Sequence, residues 1–389
     1  MSATDSGSIG LPLRFERIEA LVYRAPCAVP VQTSFGIMRD RPALLLRLTD
    51  ADGVQGWGEI WCNFPSVGAE HRARLMLESV APLLLGRDWA DPPSLFTQLE
   101  RQLRVLAIQS GEPGPLAQIV AGIDIAAWDI FARRKGLPLW RLLGGQSPEI
   151  KLYASGLNPD RPVELALRRL RDGHRAFKLK IGFGAERDLE NLRALRRELG
   201  EQAPLMVDAN QAWTLQQAQD MAPRLAQWQP LWLEEPIAAD SAIEDWQALA
   251  TCSPVALGAG ENLRGDLDFK RHIDARALRV LQPDLAKWGG FSRCAPLIRS
   301  AVQSGMQVCP HWLGAGIGLN ASVQLAAGSD TGSYVEVDSN DNPLRDLLAQ
   351  PALAIVEGKT VLSDRPGLGV EPDLKEAQRY LVHSGQASA

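Results

Sequence analysis

The sequence predicts a parallel β/α-barrel preceded by an α+β domain, and three observations carry that prediction. Short apolar, strand-like segments end near Ser155, Ile181, Asn210, Pro236, Asn262, Asp284, Trp312 and Asp338. The intervals read as helices, so each repeat holds one strand, one helix and two loops, and eight such units fit a barrel of roughly 200–250 residues. Ahead of this regular stretch, strand-like segments give way to helical ones, the order of an α+β domain. An open doubly wound sheet shares the alternation, but no Gly-x-Gly-x-x-Gly opens any unit.

Within the first domain, residues 1–148, Arg14–Tyr23 and Ala43–Thr49 alternate or run apolar as strands do. Asp50-Ala51-Asp52-Gly53 is a turn signal before a third strand, Gln55–Ile60. From residue 67 the period becomes helical. Leu75, Leu77, Val80, Leu83 and Leu84 form one stripe; Ile119, Ile123, Ala126, Ala127 and Ile130 form another, closed by Gly136 and Pro138. The barrel occupies residues 149–346. Between its strands, Leu189, Leu192, Leu195 and Leu199 recur at helical spacing, and Thr214 with Gln217 and Ser241 with Glu244 read as capping boxes. The tail, 347–389, is punctuated by Pro and Gly, holds a short strand and turn at Thr360–Val370, and is expected to leave the barrel.

Composition narrows the function. The 389 residues carry 41 basic and 46 acidic side chains, a net charge of −5. Lys and Arg form no isolated cluster, which argues against nucleic acid. Apolar runs such as Ala81–Gly86 fall far short of the ~18 residues of a membrane span, and Met1–Leu11 lacks the pattern of a signal peptide. Five scattered cysteines without a Cys-x-x-Cys pair fit reduced thiols in a cytoplasmic protein.

The strand ends carry the chemistry, because in such a barrel they converge on one mouth. The second ends in Phe177-Lys178-Leu179-Lys180-Ile181, which places both ammonium groups on one face. Unless the strand is a solvated edge, that pairing calls for an anion nearby. The third ends in Asp208-Ala209-Asn210, the fourth in Glu234-Glu235-Pro236 and the fifth in Gly260-Glu261-Asn262. Carboxylates from three consecutive strand ends repel one another unless they share a cation. All-oxygen ligands point to Mg²⁺, with Mn²⁺ as the substitute ion. Spacing leaves Glu234 and Glu235 unresolved, since neighbours on a strand face opposite sides. Asp284 on the sixth strand and His311 on the seventh form a candidate acid/base dyad, the carboxylate orienting the imidazole. The eighth strand carries Glu336.

Together these residues fit removal of a proton next to a carboxylate. The metal and Lys178 neutralise the substrate carboxylate and its enediolate. Lys180, beside Lys178 and the metal, is expected to have a lowered pKa and act as base. Glu336, if protonated, donates to the enediolate. A Schiff-base aldolase also places a lysine on a strand but needs no carboxylate trio. A non-catalytic carboxylate-binding protein leaves the dyad unexplained.

The motifs resemble those of the enolase superfamily, and of its mandelate racemase subgroup in particular. Lys178-Leu179-Lys180 looks like the Lys-x-Lys strand, Asp208 in Val207–Gln211 like the first metal ligand, and Glu261 in Gly260–Asn262 like the third. The resemblance takes the first glutamate of Glu234-Glu235-Pro236 as the second ligand. Asp284 and His311 match the subgroup's dyad and Glu336 its electrophilic glutamate; Ala121–Asp129 and Leu142–Gly145 extend the match into the first domain. Asn210, Glu235, Asn262 and Lys287 take supporting places, Lys287 either behind the ligands or at the rim. The resemblance implies an N-terminal α+β capping domain over a (β/α)7β modified TIM barrel, with the C-terminal segment returning to the cap, and a homo-oligomer from dimer to octamer. Phe177–Gly184, Pro310–Gly316 and Asn342–Arg345 look similar to the sugar-acid branch. A sugar-acid dehydratase is therefore expected first, with a 2-hydroxy-acid racemase or epimerase and a sugar-lactone cycloisomerase as alternatives. Substrate choice is expected in the loops Val29–Arg41, Trp61–Val67 and Gly156–Asp160, with Arg39 and Arg41 read as solvated.

Overall fold

The computed structural model describes residues 12–389, so the stretch Met1–Leu11 read above lies outside it. Strands β1 (Leu13–Gln32), β2 (Ile37–Asp50) and β3 (Gln55–Ile60) form an antiparallel sheet, and the two-residue β4 (Asp88–Trp89) pairs with β1. Both faces of this sheet are covered. Leu44, Leu46 and Leu48 join a core with the helices Pro92–Ser110 and Pro113–Lys135, while Ala43, Leu45 and Trp57 join the larger core that runs into the barrel. A strand buried on both faces loses its polar alternation, which is why β2 reads as a continuous apolar run.

Ile119, Ile123, Ala126, Ala127 and Ile130 are all fully buried along the helix Pro113–Lys135. That helix is long and apolar enough by composition to cross a bilayer, yet 78% of its most apolar window is buried within the protein. Glycines let it lie against β3: a Cβ on Gly58 would fall 2.1 Å from the Gly122 carbonyl oxygen. The earlier stripe is only partly right. Met76–Val80 is a single π-helical turn, and it shifts burial onto Met76, Val80, Ala81 and Leu84, leaving Leu75, Leu77 and Leu83 half-buried.

Eight parallel strands follow: β5 (Glu149–Leu157), β6 (Phe177–Lys180), β7 (Leu205–Asp208), β8 (Leu233–Glu234), β9 (Leu257–Ala259), β10 (Val280–Leu281), β11 (Gln307–Val308) and β12 (Tyr334–Asp338). They pair in the order β11-β10-β9-β8-β7-β6-β5-β12, a nearly closed barrel. Thr214 and Gln217 cap each other ahead of the helix Leu215–Ala226. The Ser241–Glu244 box does not form, because Ser241 closes a turn onto the Ala238 carbonyl and the helix starts at Ile243. The tail departs from expectation only in part. Its first strand, β13 (Lys359–Val361), stays on the barrel, antiparallel to β5, whereas β14 (Leu381–Ser388) returns to the cap, where it pairs with β1.

Strand alternation layers the lumen. Tyr153, Ala176, Met206, Trp232, Val280 and Cys309 form a separate buried cluster. Two residues further along their strands stand Lys178, Asp208, Glu234, Gln282 and His311. Leu179, Val207, Leu233 and Leu257 face the other way and join the core shared with the surrounding helices. An apolar plug thus lies beneath a charged floor.

Candidate active site

Lys178 is fully buried. Its ammonium lies 2.6 Å from Glu234, 2.8 Å from Glu336 and 3.6 Å from Asp208. Lys180 reaches Asp208 at 2.5 Å. Both lysines share the lumen face, as their spacing requires. Glu234 also accepts from the indole of Trp232 at 3.1 Å and the amide of Gln282 at 2.5 Å. On the other side of the mouth, His311 bonds through Nδ1 to Asp284 at 2.7 Å and through Nε2 to Glu261 at 2.7 Å. Its Nε2 lies 3.5 Å from Glu336. Lys287 bonds Asn262 at 2.7 Å, stands 3.5 Å from Glu261, and sits over the Trp61 ring at 4.6 Å. It is buried beside the carboxylates, behind the expected ligand Glu261 rather than at the rim.

The ambiguity between Glu234 and Glu235 has a structural origin. Glu235 adopts a left-handed backbone, with φ of 38°. The chain turns there, so its carboxylate also reaches the mouth, where the Asn262 amide donates at 2.9 and 3.0 Å. Period-two alternation does not hold across such a residue. Asn210, with φ of 44°, turns the same way and donates to Asp208 at 3.1 Å.

Charge dominates the site. Asp208, Glu234, Glu235, Glu261, Asp284 and Glu336 oppose three ammonium groups and one imidazole; with all six carboxylates ionised they would exceed the cations by two even with His311 protonated. Burial, followed by repulsion from Asp208, pushes Glu234 up to about 7. Burial, then Glu261 and Asp208, push Glu235 up to about 8. Burial opposes the charge of His311, but the carboxylates of Glu261, Glu336 and Asp284 outweigh it and hold the imidazole protonated well above its usual range.

Without a metal, two groups stand differently from what is expected of the metal-bound site. Lys180 is raised: burial lowers it, but Asp208 more than compensates. The neighbouring lysine and a bound metal both lower it, whereas this carboxylate, itself an expected metal ligand, raises it in the metal-free protein. Glu336 is lowered: burial raises it, yet Lys178 and His311 bring it down to about 2. It accepts from the Trp312 N–H at 2.9 Å rather than donating.

Among the described residues no three carboxylate or imidazole groups already converge as a metal-ligating cluster; ammonium and imidazole groups bond to the carboxylates instead. The residues nevertheless fit a divalent cation. The donors are hard oxygens, the carboxylates outnumber the cationic groups by two, and the buried Oδ1 of Asn210 beside Asp208 has no hydrogen-bond partner.

A cavity of about 220 Å³ opens onto Lys180, Asn210, Glu261, Lys287 and His311, roofed by Thr33, Phe35, Met38, Trp61 and Phe64 of the cap. A larger one of about 920 Å³ continues outward past Trp61 and Lys287. The loops Val29–Arg41 and Trp61–Val67 thus contribute to the site. Gly156–Asp160 lines neither cavity; Asn158 is instead tied to the Gln32 N–H and to Asn340. Arg39 is exposed as expected, but Arg41 is buried and ion-paired with Asp338 of β12. Sequence reasoning also missed Glu59 and Asn63, whose buried side chains hold the segment after His311. Glu59 sits in the glycine-rich Gly56-Trp57-Gly58-Glu59, where no nearby charge marks it.

A barrel whose strand ends gather carboxylates, two lysines and an Asp–His pair under an α+β cap defines the enolase superfamily. Residues 162–377 match the enolase C-terminal domain-like family, and residues 17–144 match the mandelate racemase / muconate lactonizing enzyme N-terminal domain. The chain belongs to the mandelate racemase subgroup of that superfamily. It is similar to a crystal structure of a mandelate racemase/muconate lactonizing enzyme from Bordetella bronchiseptica RB50, with TM-score 0.90 and 50% identity over 95% of this chain and 99% of that one. It is 30% identical to D-galactarolactone cycloisomerase of Agrobacterium fabrum, over 85% of this chain and 89% of that protein. It also resembles L-talarate/galactarate dehydratase of Salmonella typhimurium LT2, solved with Mg and L-lyxarohydroxamate, at TM-score 0.85 and 25% identity over 100% of this chain and 98% of the other.

Proposed function

We propose that the protein is a Mg²⁺-dependent dehydratase of a sugar acid, a small carboxylate that enters beneath the cap. The observation that carries this reading is the placement of Lys180 and His311 around one cavity, with His311 held by Asp284 from behind. Asp208, Glu234 and Glu261 would hold the metal, which when bound supplies positive charge to the substrate carboxylate and its enediolate. Lys178, fully buried, adds a fixed positive charge on that side of the floor. Lys180 removes the α-proton as a neutral amine, which requires that Asp208 no longer be its partner. The electron pair of the broken C–H bond moves toward the carboxylate. His311 then protonates the β-hydroxyl, which leaves as water as the enediolate electrons form the α,β double bond. The resulting enol tautomerises to a 2-keto-3-deoxy acid. Atoms and charges balance, with Lys180 protonated and His311 neutral at the end.

A second reading, a sugar-lactone cycloisomerase, uses the same first proton transfer and draws support from the likeness to the Agrobacterium enzyme. A screen of mono- and di-acid sugars with Mg²⁺ in D₂O separates the readings. A 2-keto-3-deoxy acid carrying solvent deuterium at C3, with deuterium at the α-carbon of recovered substrate wherever proton removal is reversible, is the expected result. Exchange that persists at wild-type rate in both Lys180→Ala and His311→Asn would sink the mechanism; a lactone or epimer as product would replace dehydration.

A further inference from the structure

The segment after His311 is held from two sides: from the barrel, Glu336 accepts from the Trp312 N–H at 2.9 Å and Asn342 donates to the Gly314 carbonyl at 2.9 Å, and the cap supplies a second set of contacts. Two cap side chains converge on one carbonyl: Asn63 donates to the Leu313 oxygen at 2.6 Å and Arg41 at 3.2 Å. Glu59, at the end of β3, accepts from the Ala315 N–H at 2.6 Å and the Gly318 N–H at 2.8 Å. Those amides open the helix Gly316–Gly328, whose own cap position, Ala315, offers no side-chain acceptor. Glu59 therefore caps a barrel helix from another domain, where a carboxylate is favoured by the exposed N–H groups.

The sequence of the segment suits this grip. Trp312 folds beneath it and bonds the Ala315 carbonyl at 2.8 Å. A Cβ on Gly314 or Gly318 would meet the Trp312 ring at 2.2 or 2.1 Å. Arg41 is itself anchored by Asp338 on β12, the strand that carries Glu336. All three cap residues are buried: Glu59 is 2% exposed, Arg41 1% and Asn63 7%. Buried polar side chains that satisfy backbone groups at these distances fix geometry, since releasing either partner leaves an unpaired polar atom.

We propose that Arg41, Glu59 and Asn63 are positioning residues for His311: the cap sheet sets the orientation of the imidazole against Asp284 through the segment Trp312–Gly318. None of the three touches His311, so they act through the backbone. This rests on the reading of His311 as the proton donor, but its test does not need turnover. The cap thereby serves the chemistry as well as roofing the substrate.

The test uses full-length, Mg²⁺-supplemented protein labelled with ¹⁵N-histidine, with the His311 ring signals assigned through His311→Asn. In Glu59→Gln and in Asn63→Leu, the His311 signals should broaden or split as the ring loses its single orientation. Those of His174 and His272, both buried in the barrel domain, should stay where they are. Amide exchange at Ala315 and Gly318 should quicken at least tenfold. Unchanged His311 signals in the two variants, with or without faster amide exchange, would overturn the proposal. If Glu59→Gln fails to fold, Asn63→Leu decides it. A protein that exchanges no α-proton from any sugar acid would sink the catalytic reading and leave this result standing.

Discussion

Asp284 and His311, from neighbouring strand ends, are joined by a 2.7 Å bond between carboxylate and Nδ1. The same carboxylate accepts from the Ala286 and Lys287 N–H groups at 2.9 and 3.0 Å, so its direction is set before the histidine arrives. A ring oriented this way presents Nε2 to the cavity. Asp284→Asn keeps the shape but removes the charge behind the ring. Turnover of the substrate identified by screening should fall by ~10²-fold or more, the range of a general acid or base. Steady-state kinetics would show this in kcat; an unchanged kcat would remove Asp284 from the mechanism.

Lys178 is buried among Glu234, Glu336 and Asp208. Lys178→Met leaves those carboxylates without their shared counter-charge. Urea unfolding of metal-free protein should show a loss of ~3–5 kcal/mol, the cost of breaking a buried ion pair on one side. Full wild-type stability in this variant would mean that the carboxylates are neutral without the lysine.

Stability of the metal-free protein should fall as pH rises from about 6.5 to 8. Glu234 and Glu235 are held at about 7 and about 8 against 4.5 when unfolded, so the folded state keeps protons that the unfolded chain gives up. His311 acts in the same direction: its raised folded pKa stabilises below 6.5, and that contribution is lost as pH rises toward the folded value. His174, lowered to about 4 by burial, opposes this trend only below its unfolded value of 6.5. Thermal denaturation at pH 6.5 and 8, with and without Mg²⁺, provides the check. Mg²⁺ should flatten or reverse the slope, and a metal-free protein that gains stability across this window would contradict the assignment.

Glu234 and Glu235 both reach the mouth, but Glu234 stands among Asp208 and both strand lysines while Glu235 is held by Asn262. Titration calorimetry with Mg²⁺ should find affinity lowered ~10–100-fold or more in Glu234→Gln, and by much less in Glu235→Gln. The reverse order would exchange their roles.

The sequence by itself determined the strand ends and most of their cargo. A parallel barrel repeats at a fixed interval and alternates strictly along each strand, so Lys178 with Lys180, Asp208, Glu261, Asp284, His311 and Glu336 could be placed without coordinates. Tertiary structure alone decided what breaks that period. The left-handed backbone at Glu235 brings a second glutamate into the mouth, and Lys287 folds back onto Asn262 and Trp61. The charge states of Lys180 and Glu336 depend on partners from other strands, which no local pattern encodes. Most of all, the hold of Arg41, Glu59 and Asn63 on the segment after His311 spans two domains and 250 to 272 positions in the chain. A side chain's role there is set by the group it meets, and that meeting exists only once the cap has packed onto the barrel.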